Sequence, residues 1–201
     1  MPASPEMVDA VQPISASEAD WSREAKGRFE WSPSRSLLAS IRSYQRHRSG
    51  GPLAAVACKW AVVRYRFWSA VTGADIPIGT SIGGGLMIPH PNGIVIHTDC
   101  VIGPNCIIFQ QVTLGEGSGG VPTLGGDVQL GAGAKLLGKI HIGDHAVVAA
   151  MAVVTHDVPV GATAMGIPAR IVKAPRRSGK ARPASSRDGA KTRLGTRRPL
   201  Q

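Results

Sequence analysis

The chain has 201 residues, 43% of them hydrophobic and only 4% aromatic, with a formal net charge of +10. That length suits one domain with appendages, and no run of about eighteen apolar residues supports a membrane span. The charge says little about the body of the protein, because residues 176–201 hold nine Lys/Arg against one acid, Asp188, and so carry +8 of the +10.

The first twenty residues, MPASPEMVDAVQPISASEAD, lack a basic start followed by an apolar stretch. No secretory signal is visible there, and a cytoplasmic location is the default expectation. Residues 1–32 are polar and poorly patterned and read as a flexible leader. A helix is expected over 33–48, with Ser32 as N-cap and Pro33 at its first position. Leu37, Leu38, Ile41 and Tyr44 fall on one face of it. Gly50, Gly51 and Pro52 end that helix, and a second is expected over about 53–71. Val56, Trp60, Val63, Phe67 and Ala70 share one side of the second helix, while Tyr65 and Trp68 lie off that stripe. The helical region, 33–72, is expected to shield an open edge of the segment C-terminal to it.

From Ile78 onward the chain places an aliphatic residue at every sixth position. Ile78, Ile96, Ile102, Ile108 and Leu114 keep one register; Leu124, Leu130, Leu136, Ile142, Val148, Val154 and Val160 keep another. Four positions beyond these come small or apolar residues such as Cys100, Cys106, Val112, Ala134 and Ala152. A period of six fits neither a helix nor a lone strand, but it fits short strands joined by regular corners, the signature of a β-helix. A thin prism has no room for large rings, which explains the low aromatic content. Cys100 and Cys106 sit on the inward register and read as small core residues.

The beat fails twice, at IGGGLMIPHPNGI (82–94) and at GEGSGGVPT (115–123), where an exposed, mobile loop is expected. Local rules break most often at functional sites. The first interruption presents His90 between Pro89 and Pro91, held with little conformational freedom. Asp75 lies fifteen residues earlier, nearly one coil below. A carboxylate on one ring nitrogen fixes the tautomer and leaves the other nitrogen as a general base. Such a pair can deprotonate a hydroxyl attacking a thioester. The other histidines read as exterior residues, and no metal-ligand spacing accompanies the cysteines, so no metal is expected.

Residues 73–175 resemble the catalytic domain of the serine O-acetyltransferase family of hexapeptide-repeat acyltransferases. The resemblance rests on Asp75 to His90, Asn92-Gly93-Ile94-Val95, Gln111-Val112-Thr113-Leu114-Gly115, Gly131-Ala132-Gly133-Ala134-Lys135 and Gly166-Ile167-Pro168-Ala169-Arg170-Ile171-Val172. It implies a left-handed parallel β-helix, a homotrimer, and acetyl-CoA as co-substrate in a groove between subunits. It assigns His90 as general base and Asp75 as its partner. Gly115, Ala132 and Ala150 would line the cofactor channel, and Lys135, Arg170 and Lys173 would meet the CoA phosphates. Gln110 and Asn92 would face the acceptor.

Three positions depart from the family pattern. Pro89 stands where an Asp helps hold the substrate ammonium, and Gly120 and Val121 stand where an Arg-His pair engages its carboxylate. The implied reaction is transfer of acetyl to L-serine, a step of cysteine biosynthesis. A sugar or polysaccharide hydroxyl is the alternative acceptor, favoured by those three positions. A non-catalytic β-helix scaffold is the alternative of another class. The tail, 176–201, reads as disordered and basic, a solvated extension before it is a contact for nucleic acid or another polyanion.

Overall fold

The computed structural model describes residues 14–27 and 30–172. Lys173 and the basic segment 176–201 lie outside them. Two helices come first, α1 (Pro33–His47) and α2 (Pro52–Thr72). Thirteen short strands come after them: β1 (Ser81–Ile82), β2 (Val95–Ile96), β3 (Val101–Ile102), β4 (Ile107–Ile108), β5 (Thr113–Gly115) and β6 (Thr123–Leu124). Then come β7 (Gln129–Leu130), β8 (Lys135–Leu137), β9 (His141–Ile142), β10 (Val147–Val148), β11 (Val153–Val154), β12 (Thr163–Met165) and β13 (Arg170–Val172).

The strands stack into three faces of a parallel β-solenoid. Face I holds β1-β3-β6-β9, face II β4-β7-β10-β12-β13 and face III β2-β5-β8-β11, and the chain visits them in that order. Among these strand pairs only β12–β13 is antiparallel. In each two-residue strand the second side chain is buried and the first is not, the alternation expected of a pleated strand. Backbone groups are satisfied between coils, for example Val95 N–H to Val112 O at 2.9 Å and Thr113 N–H to Ala134 O at 2.9 Å. The interior is the stack of Ile102, Ile108, Leu114, Leu130, Leu136, Ile142 and their small neighbours.

Many corners turn through a left-handed residue. Asn105, Asp127 and His145 do so between faces I and II, and Gln111 and Met151 between faces II and III, all at φ of 52–61°. Val160 is the one expected interior residue that the structure turns outward, at 68% exposed. Ile142 pairs with Val158, so the last coil advances sixteen residues instead of eighteen, and Val158, Ala162 and Ala164 take the interior places.

Helix α1 closes the coil's first end as expected, burying Leu37, Leu38 and Ile41 in one cluster with Ile76, Leu86 and Ile88. Its N-cap residue is Ser32, which makes no side-chain cap hydrogen bond. Helix α2 ends at Gly73, whose φ of 65° permits the left-handed stop. On α2 it is the side off the Val56–Phe67 stripe that meets the core. Ala61 is buried and Tyr65 and Trp68 pack against the core, while Val56, Trp60, Val63 and Phe67 face solvent. The helix carries two apolar stripes, and the one with small residues at Ala54, Cys58 and Ala61 allows the closer approach.

The leader is not free where it is described. Residues 14–25 lie along the corner between faces I and II. Asn105, 1% exposed, accepts the Asp20 N–H at 2.8 Å and donates to the carbonyls of Ser15 and Glu18, both at 2.7 Å. Glu24 forms an ion pair with Arg42 at 2.8 Å and accepts the Leu86 N–H at 3.1 Å. Arg42 also donates to Gly83 O at 2.6 Å and lies 5.3 Å from the Trp21 ring centroid. At Gly126 any side chain would collide with the backbone of Ala16.

Candidate active site

Strand register shows where the two interruptions fall. On face III, Asp75 pairs with Val95, Val95 with Thr113, Thr113 with Lys135 and Lys135 with Val153. The successive advances are 20, 18, 22 and 18 residues. The first surplus of two falls between Met87 on face II and Val95 on face III, the corner that carries Pro89, His90 and Pro91. The surplus of four falls between β5 and β6, where Gly117 and Gly120 exchange backbone hydrogen bonds at 3.0 and 3.3 Å. That segment is a tight hairpin against the next coil, tied by Lys139 N–H to Ser118 O at 3.4 Å, rather than an open loop.

His90 and Asp75 are both exposed. The segments that carry them are tied by backbone hydrogen bonds: Gly93 N–H donates to Gly73 O at 2.9 Å, Asp75 N–H to Ile94 O at 2.8 Å, and Ile96 N–H to Asp75 O at 2.9 Å. Their side chains do not meet. The ion pairs among the described residues are Arg35–Glu30, Arg42–Glu24, His97–Asp99 and His145–Asp127, so the expected carboxylate–imidazole contact is not made within this single chain. The Asp75 carboxylate instead acts on Tyr65 of α2. Burial, and then the negative charge of Asp75, push the Tyr65 phenol above its ordinary value.

Asn92, Gln110, Ala132 and Ala150 join His90 in one column of corners between faces II and III. Gln111 N–H donates to Asn92 O, Gly133 N–H to Gln110 O and Met151 N–H to Ala132 O, each at 2.9 Å. The Gln110 Oε1 is buried with no hydrogen-bond partner. Lys135 lies beside this column on face III, its ammonium held by Gln111 O at 2.8 Å and Thr113 Oγ1 at 2.9 Å. Arg170 is exposed on β13, at the far end of face II. Gly115 is apart from the column, at the opposite end of β5. The corner stack is therefore a column of Asn92, Gln110, Ala132 and Ala150, tied coil to coil by backbone hydrogen bonds, with the His90 corner at one end.

Sequence reasoning missed a cavity beside the His90 corner. It measures about 220 Å³ and its lining includes Arg23, Glu30, Arg35, Met87 and Pro89. The Arg23 Nη2 is buried there without a partner, while Nη1 donates to the Asn105 carbonyl. Glu30 and Arg35 pair across it at 3.4 Å. Nothing in the unpatterned leader signals this, because the Arg23–Asn105 contact spans more than eighty residues of chain.

Cys100 and Cys106 are fully buried, and burial pushes both thiols up to about 11. Among the described residues no helix is long and apolar enough to cross a membrane.

Residues 122–156 match the family model for bacterial transferase hexapeptide (six repeats). A serine acetyltransferase of Synechococcus elongatus is 43% identical over 107 residues, 51% of this chain and 43% of that protein. One of Helicobacter pylori is 45% identical over 107 residues, 51% of this chain and 62% of that protein. Among solved structures, soybean serine acetyltransferase complexed with serine superposes with a TM-score of 0.57 at 34% identity, over 70% of this chain and 56% of that one. A serine acetyltransferase in complex with CoA gives 0.55 at 34% identity, over 70% and 55%. The chain spans about half the length of the curated relatives it matches. In sequence and in fold, the β-solenoid of this chain is similar to that of the serine acetyltransferases, hexapeptide-repeat transferases.

Proposed function

We propose that this protein is an acetyl-CoA-dependent O-acetyltransferase with His90 as its general base and Asp75 as the residue that orients it. The observation that carries the reading is the surplus of two residues at the Pro89-His90-Pro91 corner, which sets an exposed imidazole beside the column of Asn92, Gln110, Ala132 and Ala150. An acceptor hydroxyl attacks the thioester carbonyl, a C–O bond forms and the C–S bond breaks. His90 takes the hydroxyl proton and returns it to the departing CoA thiolate. Backbone N–H groups of the corner column stabilise the oxyanion, and the small side chains at Ala132 and Ala150 let the pantetheine approach. Gln110 and Asn92 face the acceptor, and Lys135 and Arg170 are the candidate cations for CoA phosphates. The groove is completed by a neighbouring copy in a homotrimer.

Two acceptor classes each draw on different features of the site. The cavity beside Pro89 offers both signs of charge, Arg23 and Arg35 with Glu30, which suits a zwitterion such as L-serine; the serine-complexed soybean relative supports the same choice. Against it, Pro89 carries no charge, Gly120 has no side chain, and Val121 packs on the core. Those positions suit a neutral sugar hydroxyl. Release of free CoA from acetyl-CoA, measured with L-serine, homoserine and a set of sugars, separates them. Saturable turnover with serine supports the first reading and turnover with sugars alone the second. No turnover with any hydroxyl acceptor would return the protein to the scaffold class.

A further inference from the structure

Helix α2 presents a second apolar stripe that nothing among the described residues covers. Leu53, Val56, Trp60, Val63 and Phe67 are 54–88% exposed. At about 100° per residue they fall within an arc of about 80°. The stripe is bracketed by cations. Arg64 borders the arc on one side and Lys59 and Arg66 on the other, all exposed, and α2 contains no acidic residue. The same helix of a second copy is the obvious candidate occupant, but the charges oppose α2 packing on α2. With cations on both edges, parallel or antiparallel self-pairing sets Lys59 and Arg66 against cations of the other copy.

From this we infer that the outward face of α2 is a docking surface for an anionic phospholipid membrane, with the helix lying in the plane of the headgroups. Large apolar side chains, an aromatic pair and flanking Lys/Arg are features of helices that lie in a membrane interface. Trp60 and Phe67 enter the boundary between headgroup and acyl chain, where indole rings are favoured. Lys59, Arg64 and Arg66 lie level with the lipid phosphates. The helix is too polar to span, in keeping with contact at one surface only. This surface is independent of the proposed acetyl transfer, so the two can fail separately.

The test is co-sedimentation of the full chain with vesicles of phosphatidylcholine alone and of phosphatidylcholine with phosphatidylglycerol. Binding to the anionic vesicles is expected to exceed binding to the neutral ones at least tenfold at low salt. The double variant Trp60→Ala/Phe67→Ala, which touches only exposed side chains, is expected to lose at least tenfold of it. If the double variant binds as well as the parent chain, the basic residues 176–201 account for the binding and the assignment fails. If neutral and anionic vesicles bind alike, or neither binds, it also fails. A fall in solution mass for the double variant without lipid would assign the stripe to self-association and overturn the proposal.

Discussion

Asp75 donates its backbone N–H to the carbonyl of Ile94 at 2.8 Å, which moors the carboxylate-bearing segment at the foot of the corner that carries His90. Asp75 and His90, fifteen apart in sequence, are thereby seated on neighbouring rungs. Asp75→Asn is expected to lower turnover by about 10²-fold, since it removes orientation and not the base. The same substitution has a second readout. It removes a negative charge that helps hold the Tyr65 phenol up, so Tyr65 is expected to ionise at lower pH in an ultraviolet titration. A loss below a few fold in turnover would make Asp75 a structural residue.

The docked leader makes a stability prediction. Asn105→Ala removes one acceptor and two donor contacts and leaves a residue less suited to a φ of 61°. It is expected to cost about 2–4 kcal/mol in urea unfolding. Asn105→Gly relieves the backbone but not the lost bonds, so it is expected to recover only part. Gly126→Ala should expel the leader without touching Asn105, read as new protease cleavage within 14–27.

Arg42 joins the leader, α1 and the first coil in one network. Its side chain is 13% exposed and that of Glu24 only 9%. Removing Arg42 leaves the Glu24 carboxylate without its counter-charge, with only the Leu86 N–H as partner, so Arg42→Ala is expected to cost about 3–5 kcal/mol. Replacing both with apolar residues is expected to cost less than Arg42→Ala alone, measured by the same unfolding curves.

The buried thiols predict an alkaline limit. An unfolded thiol gives up its proton near pH 9, whereas burial keeps Cys100 and Cys106 protonated until about 11. The unfolded state therefore binds fewer protons in this window, and stability is expected to fall as pH rises from 9 to 11, with no such penalty below 9. Cys100→Ala/Cys106→Ala should flatten that slope. In the native protein a thiol reagent at neutral pH is expected to modify Cys58 alone, and all three cysteines only after denaturation.

Much of the fold was legible because a six-residue period leaves little freedom. Ile96, Ile102, Ile108, Leu114, Leu130 and Leu136 all sit where the spacing puts them. Both interruptions also proved to be places where the coil carries extra residues. Val160 was misjudged because a coil shortened by two residues leaves the local pattern unchanged while moving the phase. Which side of α2 meets the core was left open by the sequence, because the helix carries two apolar stripes between which hydrophobicity alone does not choose. The leader escaped notice because its partner, Asn105, lies more than eighty residues away and its bonds use backbone carbonyls that any sequence supplies. At the site, the broken beat pointed to the corner that carries His90 and the resemblance alone to Asn92, Gln110, Ala132 and Ala150, whereas the cavity of Arg23, Glu30 and Arg35 is assembled by that same leader.

The role of His90 is tested most directly by the rate of CoA release from acetyl-CoA, with the best acceptor found, in the parent chain and in His90→Ala. A general base at this position predicts a loss of at least about 10²-fold at neutral pH, with circular dichroism and solution mass unchanged. Turnover near the parent rate in a folded His90→Ala protein would contradict that role.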